Sequence, residues 1–107
     1  MQKKIAPENL EWKEGKVKNF FGKELISLKN GTLKLIKVAP QASYPLHHHP
    51  DKTEYAYVLK GSPEFEISGE HFTGKPDEFF IFPQNENHTI LNKTDETCLM
   101  LVGAINH

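Results

Sequence analysis

Short apolar runs broken at even intervals by glycine and proline constrain this chain more than any other feature. Leu25 to Leu28, Leu33 to Val38, Tyr55 to Leu59, Glu64 to Ser68, His71 to Thr73, Phe79 to Phe82, His88 to Asn92 and Thr97 to Ala104 are each strand-length. Asn30-Gly31, Pro40, Gly61, Ser68-Gly69, Gly74 to Asp77 and Pro83 separate them. No segment carries a helical period. Closely spaced short strands with turn residues between them predict an all-β sandwich or barrel. The alternation of charged and apolar residues over Glu64 to Ser68 reads as a half-buried strand. Phe79-Phe80-Ile81-Phe82 is apolar throughout and reads as a strand buried on both faces. Asn30-Gly31 is the strongest short hairpin signal, because both residue types accept positive φ.

One cluster of polar residues interrupts this pattern. His47-x-His49-x4-Glu54 is followed by His88 on a separate run. Three imidazoles and a carboxylate form a donor set for a first-row transition metal. A strand is expected around residues 45–49, and side chains alternate faces along a strand, so His47 and His49 point to one side. Pro45 and Pro50 bracket the pair and argue against a helix there. Glu54 opens the next β-rich run and returns to the same point after a short turn. His48 faces the other way and is expected to be exposed. His71 and His107 are expected to lie apart from the cluster. Tyr44, His48 and Glu66 are each candidates for a catalytic base, and the spacing favours none of them.

The stretch Pro45 to Gly61 resembles the first motif of the cupin superfamily, G-x5-H-x-H-x3–4-E-x6-G. Asp77 to Asn92 resembles the second, G-x5-P-x-G-x2-H-x3-N, through Pro83, Asn85, His88 and Asn92. The opening glycines are replaced by Gln41 and Asp77 and the inner glycine by Asn85. Asparagine tolerates a left-handed turn best after glycine. The resemblance spans residues 33–102. It implies a double-stranded β-helix, the jelly-roll cupin barrel, with His47, His49, Glu54 and His88 binding one divalent transition metal ion: manganese, iron, nickel, zinc or copper. It also implies a homodimer. Residues 1–30 form an N-terminal arm and first strands, long enough to exchange with a neighbouring subunit.

Composition narrows the partners. The 107 residues suffice for one domain. All 13 basic residues are lysine, set against 14 acidic ones. Arginine is the usual fork for phosphates and guanine edges, so its absence argues against nucleic acid as a partner. The longest apolar run, Cys98 to Ile105, is too short to cross a membrane. Met1 to Glu8 lacks the apolar core of a secretory signal, and the single Cys98 rules out an internal disulfide. These points predict a cytoplasmic protein with a small-molecule ligand or substrate. Three functions fit: a metal-dependent enzyme of oxygenase type, a metal-dependent isomerase, epimerase or lyase of a small sugar or hydroxy acid, and a non-catalytic binding or sensing module.

Overall fold

The structure, a computed structural model, describes residues 1–107. Nine strands form two antiparallel sheets. They are β1 (Lys13–Glu14), β2 (Phe20–Leu28), β3 (Gly31–Val38), β4 (Lys52–Lys60), β5 (Glu64–Ile67), β6 (Glu70–Thr73), β7 (Phe79–Phe82), β8 (His88–Leu91) and β9 (Cys98–Asn106). The larger sheet has the order β1-β2-β3-β9-β4-β7 and the smaller β6-β5-β8. A single 3-10 turn, Pro7–Asn9, is the only helical element. This is the all-β jelly roll expected from the punctuation and the motif.

The core lies between the sheets. Val38, Ala56, Val58, Phe65, Cys98 and Met100 have no exposed surface. Registers explain the choice of residues. Ile36 pairs Met100, which pairs Val58, so one row of inward side chains crosses three strands. Cys98 is one of these small core residues. Asn92, also buried, donates from its amide to the carbonyls of Val38, Ala39 and Glu96 and accepts from Thr94. It ties the end of β8 to the end of β3 and holds no place among the metal candidates.

Three local expectations need correction. The hairpin between β2 and β3 sits where Asn30-Gly31 marks it, but Leu28 pairs Gly31 and the loop is Lys29-Asn30. Neither Asn30 nor Gly31 has positive φ. Gly31 is needed for close approach instead: a Cβ there would lie 2.6 Å from the Ala104 carbonyl oxygen. Next, β7 is an edge strand, not one buried on both faces. Phe80 and Phe82 turn inward, while Phe79 and Ile81 are each 53% exposed on the outer face. A run with no polar residue carries no phase, which is why the sequence did not reveal the asymmetry. Finally, His47 to His49 lies in no strand. It touches the smaller sheet only through an isolated bridge between His47 and His88.

The N-terminal arm folds on its own chain. Lys13 pairs Gly22 and Glu14 pairs Phe21, closing the β2 edge. The ammonium groups of Lys23 and Lys37 each sit 4.6 Å from the centre of the Trp12 ring.

Candidate metal centre

Three pieces of backbone carry the four donors: the loop with His47 and His49, the start of β4 with Glu54, and the start of β8 with His88. Glu54 lies near the start of β4 on its inward face, two residues before the fully buried Ala56. Its register partners are Phe82 on β7 and Ala104 on β9. His88 opens β8 and is 3% exposed. His47 exchanges two backbone hydrogen bonds with His88: each amide donates to the other's carbonyl, at 3.1 and 2.8 Å. The Asn85 amide donates to the His49 carbonyl at 2.9 Å. The turn before β8 therefore positions all three imidazoles.

The side chains converge. One donor atom from each of His47, His49, Glu54 and His88 lies within 4.8 Å of every other. Glu54 Oε1 is 3.1 Å from His49 Nε2 and 3.4 Å from His88 Nε2. Neither Lys52 nor Lys60 comes within ion-pair distance of Glu54, so the carboxylate faces the imidazoles and not a surface lysine. His47 donates from Nδ1 to the Pro45 carbonyl at 2.8 Å. That bond places the proton on Nδ1 and leaves the Nε2 lone pair free, the tautomer that can ligate a metal through Nε2.

The electrostatics favour the same state. Burial pushes the His49 pKa down, and the charges of Lys52, His47 and His88 add to this against the opposing pull of Glu54. His49 is thus neutral at physiological pH. For Glu54, burial acts to raise the pKa. The hydrogen bond from His88 and the charges of Lys52, His49 and His88 outweigh it, and the net shift is downward. The set is one anionic carboxylate and imidazole nitrogens. A first-row ion with bonds of about 2.0–2.3 Å holds its donors within roughly 4.6 Å of one another. The four residues fit such an ion after a contraction of a few tenths of an ångström.

Two aromatic rings frame the cluster. Phe82 stacks on the His88 ring at 4.6 Å and 17°. Tyr44 packs between His47, at 4.8 Å, and Phe20, at 5.1 Å. The sequence offered no means of placing Phe82, because its run has no phase until β4 is paired beside it. Burial, aided by the charge of Glu54, raises the Tyr44 pKa, so its hydroxyl stays protonated. That hydroxyl has no hydrogen-bond partner within the chain.

The other candidates lie elsewhere. His48 is exposed. Glu66 is exposed on β5 and pairs in register with His71 on the far side of the smaller sheet. His71 Nε2 bonds Glu64 at 2.8 Å, and His107 Nε2 bonds Thr53 at 2.8 Å. A cleft of about 400 Å³ lies between the edges of β6 and β7, lined by Ile67, Phe72, Phe79, Phe80, Ile81 and Pro83. It includes none of the four donors.

Comparison with known proteins agrees with this architecture. The profile of the family described as "Cupin domain" matches residues 34–103. Polyketide synthase CurC of Streptomyces cyaneus is 28% identical over 76 residues, covering 71% of this chain and 49% of that protein. The chain spans about half the length of the curated relatives it matches. The polyketide cyclase RemF from Streptomyces resistomycificus superposes with a TM-score of 0.84 at 26% identity, over 98% of this chain and 80% of RemF. A protein from Thermotoga maritima described as a predicted oxalate decarboxylase superposes with a TM-score of 0.88 at 18% identity, over 96% of this chain and 98% of that one.

Proposed function

Because the chain belongs to the cupin family, we propose that His47, His49, Glu54 and His88 hold one divalent first-row transition metal ion and present it to a carbonyl-bearing small molecule. The observation that carries this reading is the convergence of four donor atoms within 4.8 Å, with Glu54 between two imidazoles. When bound there, such an ion supplies Lewis-acid polarisation of a substrate oxygen. The reaction we assign is carbonyl chemistry of the ring-closing kind. CurC and RemF support it, since one is named a polyketide synthase and the other a polyketide cyclase.

The chain's own residues have definite parts in this reading. Glu54 stays ionised and His49 neutral, so both are ready as ligands. His88 is sealed from solvent beneath Phe82, whereas His47 and His49 are half-exposed. Substrate therefore approaches from the His47–His49 side. Tyr44 borders that side with a protonated, unpartnered hydroxyl, suited to donate a hydrogen bond to a substrate oxygen.

Elemental analysis of untagged protein tests the first half, and a mole of one transition metal per mole of chain is expected. Incubation with poly-β-carbonyl compounds, followed by mass spectrometry and an oxygen electrode, tests the second. Products of unchanged mass, or lighter by water, support ring closure. Stoichiometric oxygen uptake would place the enzyme among oxygenases instead.

A further inference from the structure

The two sheets are unequal: three strands face six. Inward side chains on β4 and β9 are buried at Ala56, Val58, Cys98 and Met100, whereas Glu24 and Ser27 on β2 and Lys34 on β3 are exposed. Residues opposite one another in register share a face. Glu54 pairs Ala104, Ala104 pairs Thr32 and Thr32 pairs Ser27. In the next row Ala56 pairs Val102, Val102 pairs Lys34 and Lys34 pairs Glu24. Lys34 therefore stands on the same face as Glu54. Its neighbours along and across that face, Ile36 and Val102, pack against the core, which fixes the phase.

The row that starts at Glu54 carries only short side chains. Ala104, Thr32 and Ser27 leave a trough that runs from the metal centre across β9 and β3 to β2. A lysine stands on each flank. Lys34 rises from the row on one side. Lys52, two residues before Glu54 and on the same face, rises from the row on the other, where it pairs Asn106. Neither ammonium has a carboxylate within ion-pair distance, although Glu24 lies opposite Lys34. The charge of Lys52 already acts on Glu54 and His49. Tyr44, on the side from which substrate approaches, meets the same face at Phe20.

Charge decides the ligand. A divalent ion held by neutral imidazoles and one carboxylate keeps a net positive charge, and the two lysines add to it. An unpaired ammonium is a compact point charge suited to a carboxylate. From sheet spacings of ~4.8 Å between strands and ~3.4 Å per residue, the Cα atoms of Lys34 and Glu54 lie about 12 Å apart. The four-carbon stem of Lys34 spans part of that gap. A carboxylate at its ammonium then lies several bonds from the substrate oxygen at the metal.

We propose, resting on the metal reading above, that Lys34 makes this site selective for an anionic oxo acid, whose carbonyl faces the metal and whose carboxylate pairs with the Lys34 ammonium.

Titration calorimetry on the zinc-loaded full chain at pH 7.5 compares the anion of triacetic acid, a linear acid with two ketones, with its uncharged methyl ester. The anion should bind at least tenfold more tightly. Lys34→Met keeps most of the stem and removes the charge. It should bring the anion to the affinity of the ester and leave the ester's own affinity unchanged. Lys34→Arg should restore the preference. Lys75→Met, in the turn before β7, removes the same charge away from the trough and should change nothing. Zinc content by elemental analysis should stay at one per chain in every variant. Should circular dichroism show Lys34→Met unfolded, the wild type decides alone: in ~1 M sodium chloride, where charges are screened beyond about 3 Å, its preference should shrink severalfold. Equal affinities for anion and ester in the zinc-loaded wild type overturn the proposal and leave the metal reading intact. So does a folded, zinc-loaded Lys34→Met that keeps the preference, or a wild-type preference that salt does not reduce. A chain that takes up no zinc or other transition metal overturns both.

Discussion

Gln41, Asp77 and Asn85 hold left-handed backbone at φ of 66, 73 and 64°. These are three of the four positions where the cupin pattern carries glycine, the fourth being Gly61 at φ 88°, so the conformation persists although three of the glycines do not. Side chains compensate at two of them: Gln41 donates to the carbonyls of Lys93 and Thr94, and Asp77 accepts from the Tyr57 hydroxyl. Asn85 has no such bond and relies on asparagine's own tolerance of this region. Replacing Asn85 by alanine should cost about 1 kcal/mol by urea unfolding, the strain of a Cβ in left-handed backbone. Asn85→Gly should change stability by less than about 0.5 kcal/mol, since eased strain and extra unfolded-state entropy offset each other. Equal losses in both variants would show that the amide side chain matters and the backbone angle does not. The approach of His47, His49 and Glu54 to one another was legible from spacing, because alternation and turn length are local rules, and His88 joined them only through the resemblance to the second motif. Their mutual distances were not legible, because they depend on which strands pair. The double change His47→Ala with His49→Ala should abolish metal binding by equilibrium dialysis and keep the β signature in circular dichroism. Stoichiometric metal in that variant would remove these residues as ligands.

Elements are legible where the sequence carries a period and obscure where it does not. Alternating charged and apolar residues over Glu64–Ile67 assign β5 its two faces by residue type alone. The all-apolar β7 offers no such clue, and only its pairing with β4 reveals that Phe82 reaches His88 while Ile81 reaches solvent. The His47–His49 segment resembles a strand because extended backbone and strand pairing leave the same side-chain pattern. Two prolines and a single bridge keep it outside the sheets. The arm shows another limit: its polar sequence does not say which edge it covers, and Lys13 and Glu14 pair along the β2 edge. Trp12 is the anchor, held under two ammonium groups. Trp12→Ala should cost about 2 kcal/mol, from lost apolar burial and two exposed cation–π contacts of roughly 0.5–1 kcal/mol each. Metal stoichiometry should not change, because all four donors lie on other elements. A loss of metal in this variant would couple the arm to the centre in a way the fold does not indicate.

For the whole molecule, the metal centre should link stability to pH. The folded-state pKa of His49 is lowered, so just below the ordinary histidine value the unfolded chain binds more protons there than the folded one. Stability therefore falls as pH drops through that window. Glu54, also lowered, contributes stability that is present above the ordinary carboxylate range and lost as pH falls through its folded value. Both act in one direction, and the metal-free protein should weaken steadily on acidification. Metal binding adds a steeper dependence, because protons compete for the imidazole nitrogens below about pH 6.5. At a hundredfold excess over its dissociation constant, a metal bound only to the folded state adds about 2.7 kcal/mol. For a chain of this size that is a rise in midpoint of roughly 10 °C. Thermal unfolding with and without metal, at pH 7.5 and at pH 5, should show that increment at the first pH and little of it at the second. An increment of equal size at both would mean that the ion is held by carboxylates elsewhere, and that the three histidines, though gathered at one point, are not its ligands.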